Sequence, residues 1–434
     1  MISYGEMLRV YGWIGCMSFG GPAAQIALMH KVLVDQRKWL AEPEFLRALS
    51  FCMLLPGPEA MQLATYAGWK QRGIVGGLIA GGLFVGPGAL VILALALAYG
   101  TYGQLPLVQA LFLGVKATVV VIVIEAILRV AKRALKQRSD WAVAGLAFVA
   151  LYVFAVPFPV VILTAGIFGA WRQTAPGPVV VPQALPWAQS GMIVAVGLVI
   201  WATPLVLVYA TGQAFLLDLG LFFSKLAVVT FGGAYAVLSY MTQAVVQDFG
   251  WLSTAQMMDA LGLAETTPGP LILVTQFVGV VAGLDQGGLD QGGLGLGGLG
   301  LGGLGLGLAG GAMVLWVTFV PCFIWIFAGA PLIDWLAGKP RLSGALSAIT
   351  AAVVGVIANL TLWFALHVLF ARQVSLSLGP AHMLLPVPTS LDPVAAALAL
   401  LAGWLILWRH WSLPPTLALS AALSLLLTLA TGEM

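Results

Sequence analysis

Five ionisable side chains stand inside stretches that are otherwise apolar: Glu59, Lys116, Glu125, Lys225 and Glu265. A charge within a bilayer is costly, so it marks a substrate path, a proton relay or a buried pair. Beside two of the carboxylates the backbone itself carries breakers. Glu59 directly follows Pro56-Gly57-Pro58, and Glu265 precedes Pro268-Gly269-Pro270 by three positions. Two more breakers, Phe19-Gly20-Gly21-Pro22 and Phe231-Gly232-Gly233, lie in the apolar runs upstream. Proline removes a backbone donor and clashes with the preceding turn, while glycine tolerates open backbone angles. A helix that restarts after such a break turns free N–H groups and a positive dipole end toward its surroundings, which suits an anion. The chemistry this pattern suggests is oxyanion binding, with Lys116 and Lys225 adding positive charge. Glu59, Glu265 or Glu125 would take up and release protons. A structural alternative has Lys225 snorkelling to an interface and Lys116 paired with Glu125.

The elements that must hold these residues occur twice. Phe19-Gly20-Gly21, Trp39-Leu40 and Pro56-Gly57-Pro58 each return 212 positions later, at Phe231, Trp251 and Pro268. Gly76-Gly77 and Pro87 return 234 positions later, at Gly310-Gly311 and Pro321. A Gly/Leu tract near 284–308, running in five-residue steps, accounts for the difference and reads as a lengthened loop. A duplicated apolar unit with breakers at matching places is the pattern of a secondary transporter. About 20 apolar residues cross a bilayer. Spans are expected near 10–29, 46–69, 74–99 and 107–130, with counterparts near 222–241, 258–282, 309–330 and 346–370. Shorter runs near 141–156, 158–171, 190–210, 394–408 and 413–430 bring the total to about thirteen. The expected fold is an all-α polytopic membrane protein with helices broken near the bilayer midplane. Its parts are a first repeat (1–140), linking segments (141–211), a second repeat (212–372) and C-terminal segments (373–434).

Composition agrees. Of 434 residues, 61% are hydrophobic and 8% charged, against roughly a quarter charged in soluble domains. The net charge of +3 therefore bears on orientation and not on nucleic acid. Arg129, Lys132, Arg133, Lys136 and Arg138 place the end of the fourth span in the cytoplasm, together with Lys70, Arg72 and the N-terminus. In the second repeat the basic residues Lys339 and Arg341 fall one loop later, and the linking spans are odd in number. Both points predict inverted topology. Arg372, and the mixed-charge segment from Lys31 to Arg47, fit this scheme less well. Cys16, Cys52 and Cys322 make neither a disulfide framework nor a metal spacing. The alternative of an intramembrane enzyme would need a nucleophile–base pair or a metal triad at one depth; the chain carries no H-E-x-x-H or G-x-S-x-G, so neither an enzyme nor a cofactor is expected. Met1 to Gly21 runs on into repeat sequence, so a cleaved signal peptide is not expected.

The stretches FGGPAAQIALMH and LLPGPEAMQLATYAGW, with TFGGAYAVLSYMTQ and ETTPGPLILVTQFVG, resemble the chromate ion transporter family in its long two-repeat form. The resemblance implies a multi-pass carrier of the bacterial inner membrane. It would export chromate by antiport, driven by the proton-motive force, and so confer chromate resistance. Carried over residue by residue, it nominates Phe19, Gly20, Gly21, Pro22, Pro56, Gly57, Pro58, Phe231, Gly232, Gly233, Thr267, Pro268, Gly269 and Pro270. Chromate and sulfate are both tetrahedral dianions, so sulfate is the natural competitor or alternative substrate. Expected partners are the oxyanion, protons and the bilayer; a homodimer is left open.

Overall fold

The computed structural model describes residues 2–172, 187–231, 234–287, 302–333 and 339–431. In chain order the principal helices are α1 (Tyr4–Met17), α2 (Gly21–His30), α3 (Glu42–Cys52), α4 (Glu59–Tyr102), α5 (Pro106–Ala134), α6 (Arg138–Tyr152), α7 (Phe158–Arg172) and α8 (Trp187–Ala210). They continue with α9 (Ala214–Val229), α10 (Ala234–Gln243), α11 (Thr254–Thr266), α12 (Val274–Gly287), α13 (Gly303–Gly329), α14 (Pro340–Leu369), α15 (Pro393–Gly403) and α16 (Leu413–Thr431). Six of the described helices are long and apolar enough to cross a membrane, and shorter apolar helices accompany them.

The chain is an overwhelmingly helical membrane protein, as expected, with one short addition: strands β1 (Gln373–Leu378) and β2 (Ala381–Pro386) form an antiparallel hairpin. The cause is legible in Val374, Leu376 and Leu378, which alternate with Gln373, Ser375 and Ser377. Gly379, at φ +61°, makes the two-residue turn that follows.

The described chain packs as two compact units. The first comprises Met1–Thr101, Pro176–Ala234 and Leu263–Lys339; the second comprises Tyr102–Ala175, Tyr235–Gly262 and Pro340–Met434. Each unit draws on both repeats.

In the first unit, the apolar runs 10–29 and 46–69 are not crossing helices. Arg37, beyond α2, pairs with Glu6 at the start of α1 across 3.0 Å. A continuous helix would hold those positions about 46 Å apart at 1.5 Å per residue. Lys70 likewise pairs with Glu44 across 2.8 Å, so α3 and the start of α4 also fold back on each other. Both runs are helical hairpins whose tips carry the FGG and PGP breakers. Their open ends lie together, because Arg72 Nε donates to the Ile2 carbonyl at 2.6 Å and His30 reaches Glu42 at 3.3 Å. This removes the misfit of the Lys31–Arg47 segment, which lies at the same end as the N-terminus and the 70–72 loop. A cysteine at Lys38 (Lys38→Cys, in a chain lacking Cys16) should therefore react with an impermeant maleimide from the same side as one at Ser3. Crossing helices would put the two on opposite sides.

α4 turns back at Arg72 and Gly73, the latter at φ +61°. Its limbs 59–71 and 74–102 then pack antiparallel, with Gly68 against Gly76. Limb 74–102 is full length, about 43 Å, and Pro87-Gly88 stands at its centre. Its repeat counterpart, α13, runs the other way beside it: Gly77 meets Phe327, and Gly81 meets Phe323. The small residues are required there, since a methyl at Gly81 would sit 2.7 Å from the Phe323 ring.

In the second unit, close helix contacts again fall at small residues. Gly114 meets the Ser420 carbonyl, Gly169 the Gly344 carbonyl and Gly355 the Ala144 carbonyl. Such stripes let helices approach where lipid removes the usual drive to pack.

Candidate functional site

Each of the four apolar segments that carry a breaker is interrupted at it. α1 ends at Ser18 (φ −80°, ψ 68°) and α9 at Thr230 (φ −75°, ψ 73°), both inverse γ-turns. Each hydroxyl bonds back to the carbonyl four residues earlier, Ser18 to Ile14 and Thr230 to Leu226. Gly20 and Gly21 then take φ +83° and +75° and α2 begins, with Pro22 in its first turn. Gly57 and Gly269 take φ +115° and +89°. Only glycine holds such angles cheaply, which explains the breaker residues.

The tips meet crosswise. Gly57 N–H donates to the Thr230 carbonyl at 2.9 Å, and Gly269 N–H donates to the Ser18 carbonyl at 2.8 Å. Gly57 and Gly269 are repeat counterparts, as are Ser18 and Thr230, so one bond is the other carried into the second repeat. The flanking contacts follow the same rule. Gly269's loop lies on Gly88, whose added methyl would meet the Pro268 carbonyl. Gly57's loop lies on Cys322, the counterpart of Gly88, 2.8 Å from a Cβ built at Gly57. The tips thus sit level with the middle of limb 74–102 and near that of α13.

Two buried glutamines tie off the loop carbonyls. Gln25 Nε2 donates to the Gly269 carbonyl at 2.7 Å, and Gln62 Nε2 to the Pro56 carbonyl at 2.6 Å. Gln62 Oε1 is buried and has no partner among the described residues. Neither glutamine was singled out from sequence. The signal was present: each lies one helical turn past its break, Gln25 after Gly21 and Gln62 after Pro58, in an apolar helix.

The PGP loops themselves present no open amide. Pro56, Pro58, Pro268 and Pro270 have no N–H, and those of Gly57 and Gly269 are taken by the crosswise bonds. The donors that helix geometry leaves open are the first-turn amides after each break. In α4 these are residues 60 and 61, ahead of Gln62, whose N–H bonds back to the Pro58 carbonyl at 3.1 Å. In α2 they are Gly21 and Ala23, since Pro22 lacks an N–H.

The remaining nominated residues divide between the units. Pro56, Gly57, Pro58, Thr267, Pro268, Gly269 and Pro270 are buried in the first unit, and Thr267 bonds back to Ala264 at 3.0 Å. Phe19 is exposed at the first tip and Phe231 half-buried at its counterpart, while Gly232 and Gly233 lie outside the described residues. Glu59 stands half-buried in the first turn of α4, and Glu265 is buried near the end of α11. Lys225 is exposed on α9.

In the second unit Lys116 does not pair with Glu125, which overturns that structural alternative; Glu125 binds Arg129 one turn away. Lys116 Nζ instead lies 2.9 Å from Asp259 Oδ1, with Asp259 fully buried. Gly262 makes this possible: a Cβ there would fall 2.6 Å from Val115, so α11 and α5 touch one turn from the pair. Asp259 was missed because it opens the run 258–282 and no breaker stands beside it. Its counterpart in the first repeat is the exposed Arg47, and that of Lys116 is Thr350. The scaffold is therefore built once without this pair. No group of His, Cys, Asp or Glu among the described residues suits a metal ion.

Comparison with known proteins adds a second, independent view. The family described as Chromate transporter matches residues 5–170 and 217–427, two segments that begin 212 positions apart, as the motifs do. A chromate transport protein of Cupriavidus metallidurans is 28% identical over 409 residues, covering 92% of each chain. One from Pseudomonas aeruginosa is 29% identical over 422 residues, covering 93% of each. An uncharacterized transporter of Bacillus subtilis, 27% identical, matches 35% of this chain but 88% of its own length, the extent of a single repeat. No solved structure matches.

Proposed function

The chain belongs to the chromate transporter family, and on that premise we propose that it is a secondary carrier exporting chromate across a bacterial inner membrane. The crosswise bonds Gly57–Thr230 and Gly269–Ser18 carry this reading. They join four interrupted elements from both repeats at one level, and the two counterpart helices beside them run antiparallel. That arrangement supports inverted repeats with a shared midplane site, the architecture of alternating access. The first-turn amides of α2 and of residues 60 and 61 would cradle the oxyanion.

Energy comes from the proton-motive force. Its electrical part moves charge at roughly 2.3 kcal/mol per elementary charge per 100 mV, so a dianion leaving an inside-negative cell gains about twice that. Glu59, Glu265 and Asp259 are the carboxylates through which protons would enter the cycle. Glu59 stands among the amides of the proposed cradle, where its negative charge competes with the oxyanion until a proton neutralises it. Export on this scheme confers chromate resistance.

Everted vesicles test the reading. Energised vesicles should accumulate radiolabelled chromate, lose most of it when the potential is collapsed, and lose part when only the pH gradient is removed. Sulfate in excess should compete. Uptake equal to that of vesicles lacking the protein would overturn the proposal. Sulfate uptake with no chromate uptake would reassign the cargo.

A further inference from the structure

The second unit contains a cavity of about 340 Å³ that the carrier scheme does not use. It lies at the end of this unit opposite the basic cluster. α6 begins at Arg138 and reaches the cavity at Tyr152, and α14 begins at Pro340 and reaches it at His367. By the positive-inside rule the cavity faces away from the cytoplasm. The β1–β2 hairpin forms one wall, tied down by His382 N–H to the Val153 carbonyl at 2.6 Å.

The lining is rich in neutral hydrogen-bonding groups, among them Thr242, Gln243, Asn359 and Ser377. It includes no Asp, Glu, Lys or Arg. Its titratable groups are Tyr152 from α6, His367 from α14 and His382 from β2; α10 and the turn after it contribute none. Thr242 Oγ1 is buried without a partner among the described residues. An unpaired buried hydroxyl on a cavity wall calls for a ligand or an ordered water.

The histidines are set to answer charge. His367 Nδ1 lies 2.8 Å from the Trp363 carbonyl, which can only accept, so Nδ1 carries the hydrogen and neutral Nε2 is an acceptor. Protonation turns Nε2 into a donor and makes the ring a cation. His382 Nδ1 is engaged with Ser377 Oγ at 3.0 Å, so this ring is held on the same wall by the hairpin itself. A wall of amides and hydroxyls, free of carboxylates and with two imidazoles that gain charge in acid, suits a tetrahedral oxyanion.

We propose that this cavity is a second oxyanion site, open to the non-cytoplasmic side and occupied when His367 and His382 are protonated. It is separate from the transport site and stands or falls on its own. Binding is read at equilibrium, with no gradient.

Trp363 supplies the signal, since its ring centroid lies 4.3 Å from that of His367 and an imidazolium quenches a neighbouring indole. The purified full-length protein would be titrated from about pH 8 to pH 5, the histidine range. One series contains sodium sulfate and the other sodium chloride at equal ionic strength. Sulfate should move the quenching step to higher pH, because an anion that binds the protonated form stabilises it. His367→Gln should remove the step. His382→Gln should keep the step and lose most of the sulfate shift. Identical midpoints for the wild-type protein in sulfate and chloride would overturn the proposal, whatever the variants do. So would a full shift persisting in the double variant.

Discussion

Asp259→Asn is expected to abolish chromate uptake in everted vesicles. The Lys116–Asp259 pair is buried, with its oxygen and nitrogen 2.9 Å apart. Removing one member of such a pair leaves an uncompensated charge, at a cost of about 3–5 kcal/mol. Uptake should fall more than about a hundredfold, the factor to which 3 kcal/mol corresponds. Loss of folding alone would produce the same fall, so a double variant separates the two. Lys116→Met with Asp259→Asn removes both charges and should recover thermal stability. It should not recover transport if the pair takes part in it. Wild-type uptake by the double variant would reduce the pair to a structural contact. The repeat comparison favours the functional outcome, because Arg47 and Thr350 occupy the matching places and make no such pair.

Gly57→Ala is expected to impair transport by straining the tip that carries the first PGP break. At φ +115° the backbone is in a region that alanine avoids, at a cost on the order of 1–3 kcal/mol. The new Cβ would also lie 2.8 Å from Cys322 Sγ and 2.8 Å from Gln62 Nε2, the group that holds the Pro56 carbonyl. The loop must shift, and the Gly57–Thr230 bond shifts with it. Transport should drop at least about tenfold with the protein still in the membrane. Gly88→Ala tests packing without a positive φ, since its methyl meets the Pro268 carbonyl. It should also fail. Gly86→Ala, two residues away with nothing within 4 Å, should be silent. Equal activity in all three variants would show that the tips do not need their present positions.

The broken helices were legible because proline and glycine act locally. Gly57 and Gly269 take positive φ where the PGP motifs put the breaks. The duplication was legible for the same reason, since a fixed offset between motifs needs no knowledge of packing. What sequence did not reveal was the direction of the chain after each break. A run such as 10–29 has the length and apolarity of a crossing helix, and nothing in its periodicity distinguishes a hairpin. The contacts that decide it, Glu6 with Arg37 and Glu44 with Lys70, join positions 31 and 26 residues apart. The charge count held a warning in the misplaced Lys31–Arg47 segment, which the hairpins now explain. Asp259 was hidden for a similar reason: its partner Lys116 lies in the other repeat. The strands at 373–386 were readable from alternation alone, but an overwhelmingly apolar chain drew attention to helices.

On the proposed scheme the four helix tips line the path of the oxyanion, and Phe19 gives the most direct access to it. This side chain is exposed at the first tip, beside Gly20. A cysteine placed there (Phe19→Cys, in a chain lacking Cys16, Cys52 and Cys322) can be followed in transporting vesicles by its rate of alkylation with a small maleimide. Chromate should slow that rate at concentrations that saturate uptake, and sulfate, which does not oxidise thiols, should do the same. Alkylation at one unchanged rate with and without either anion, in vesicles that still carry chromate, would contradict the account.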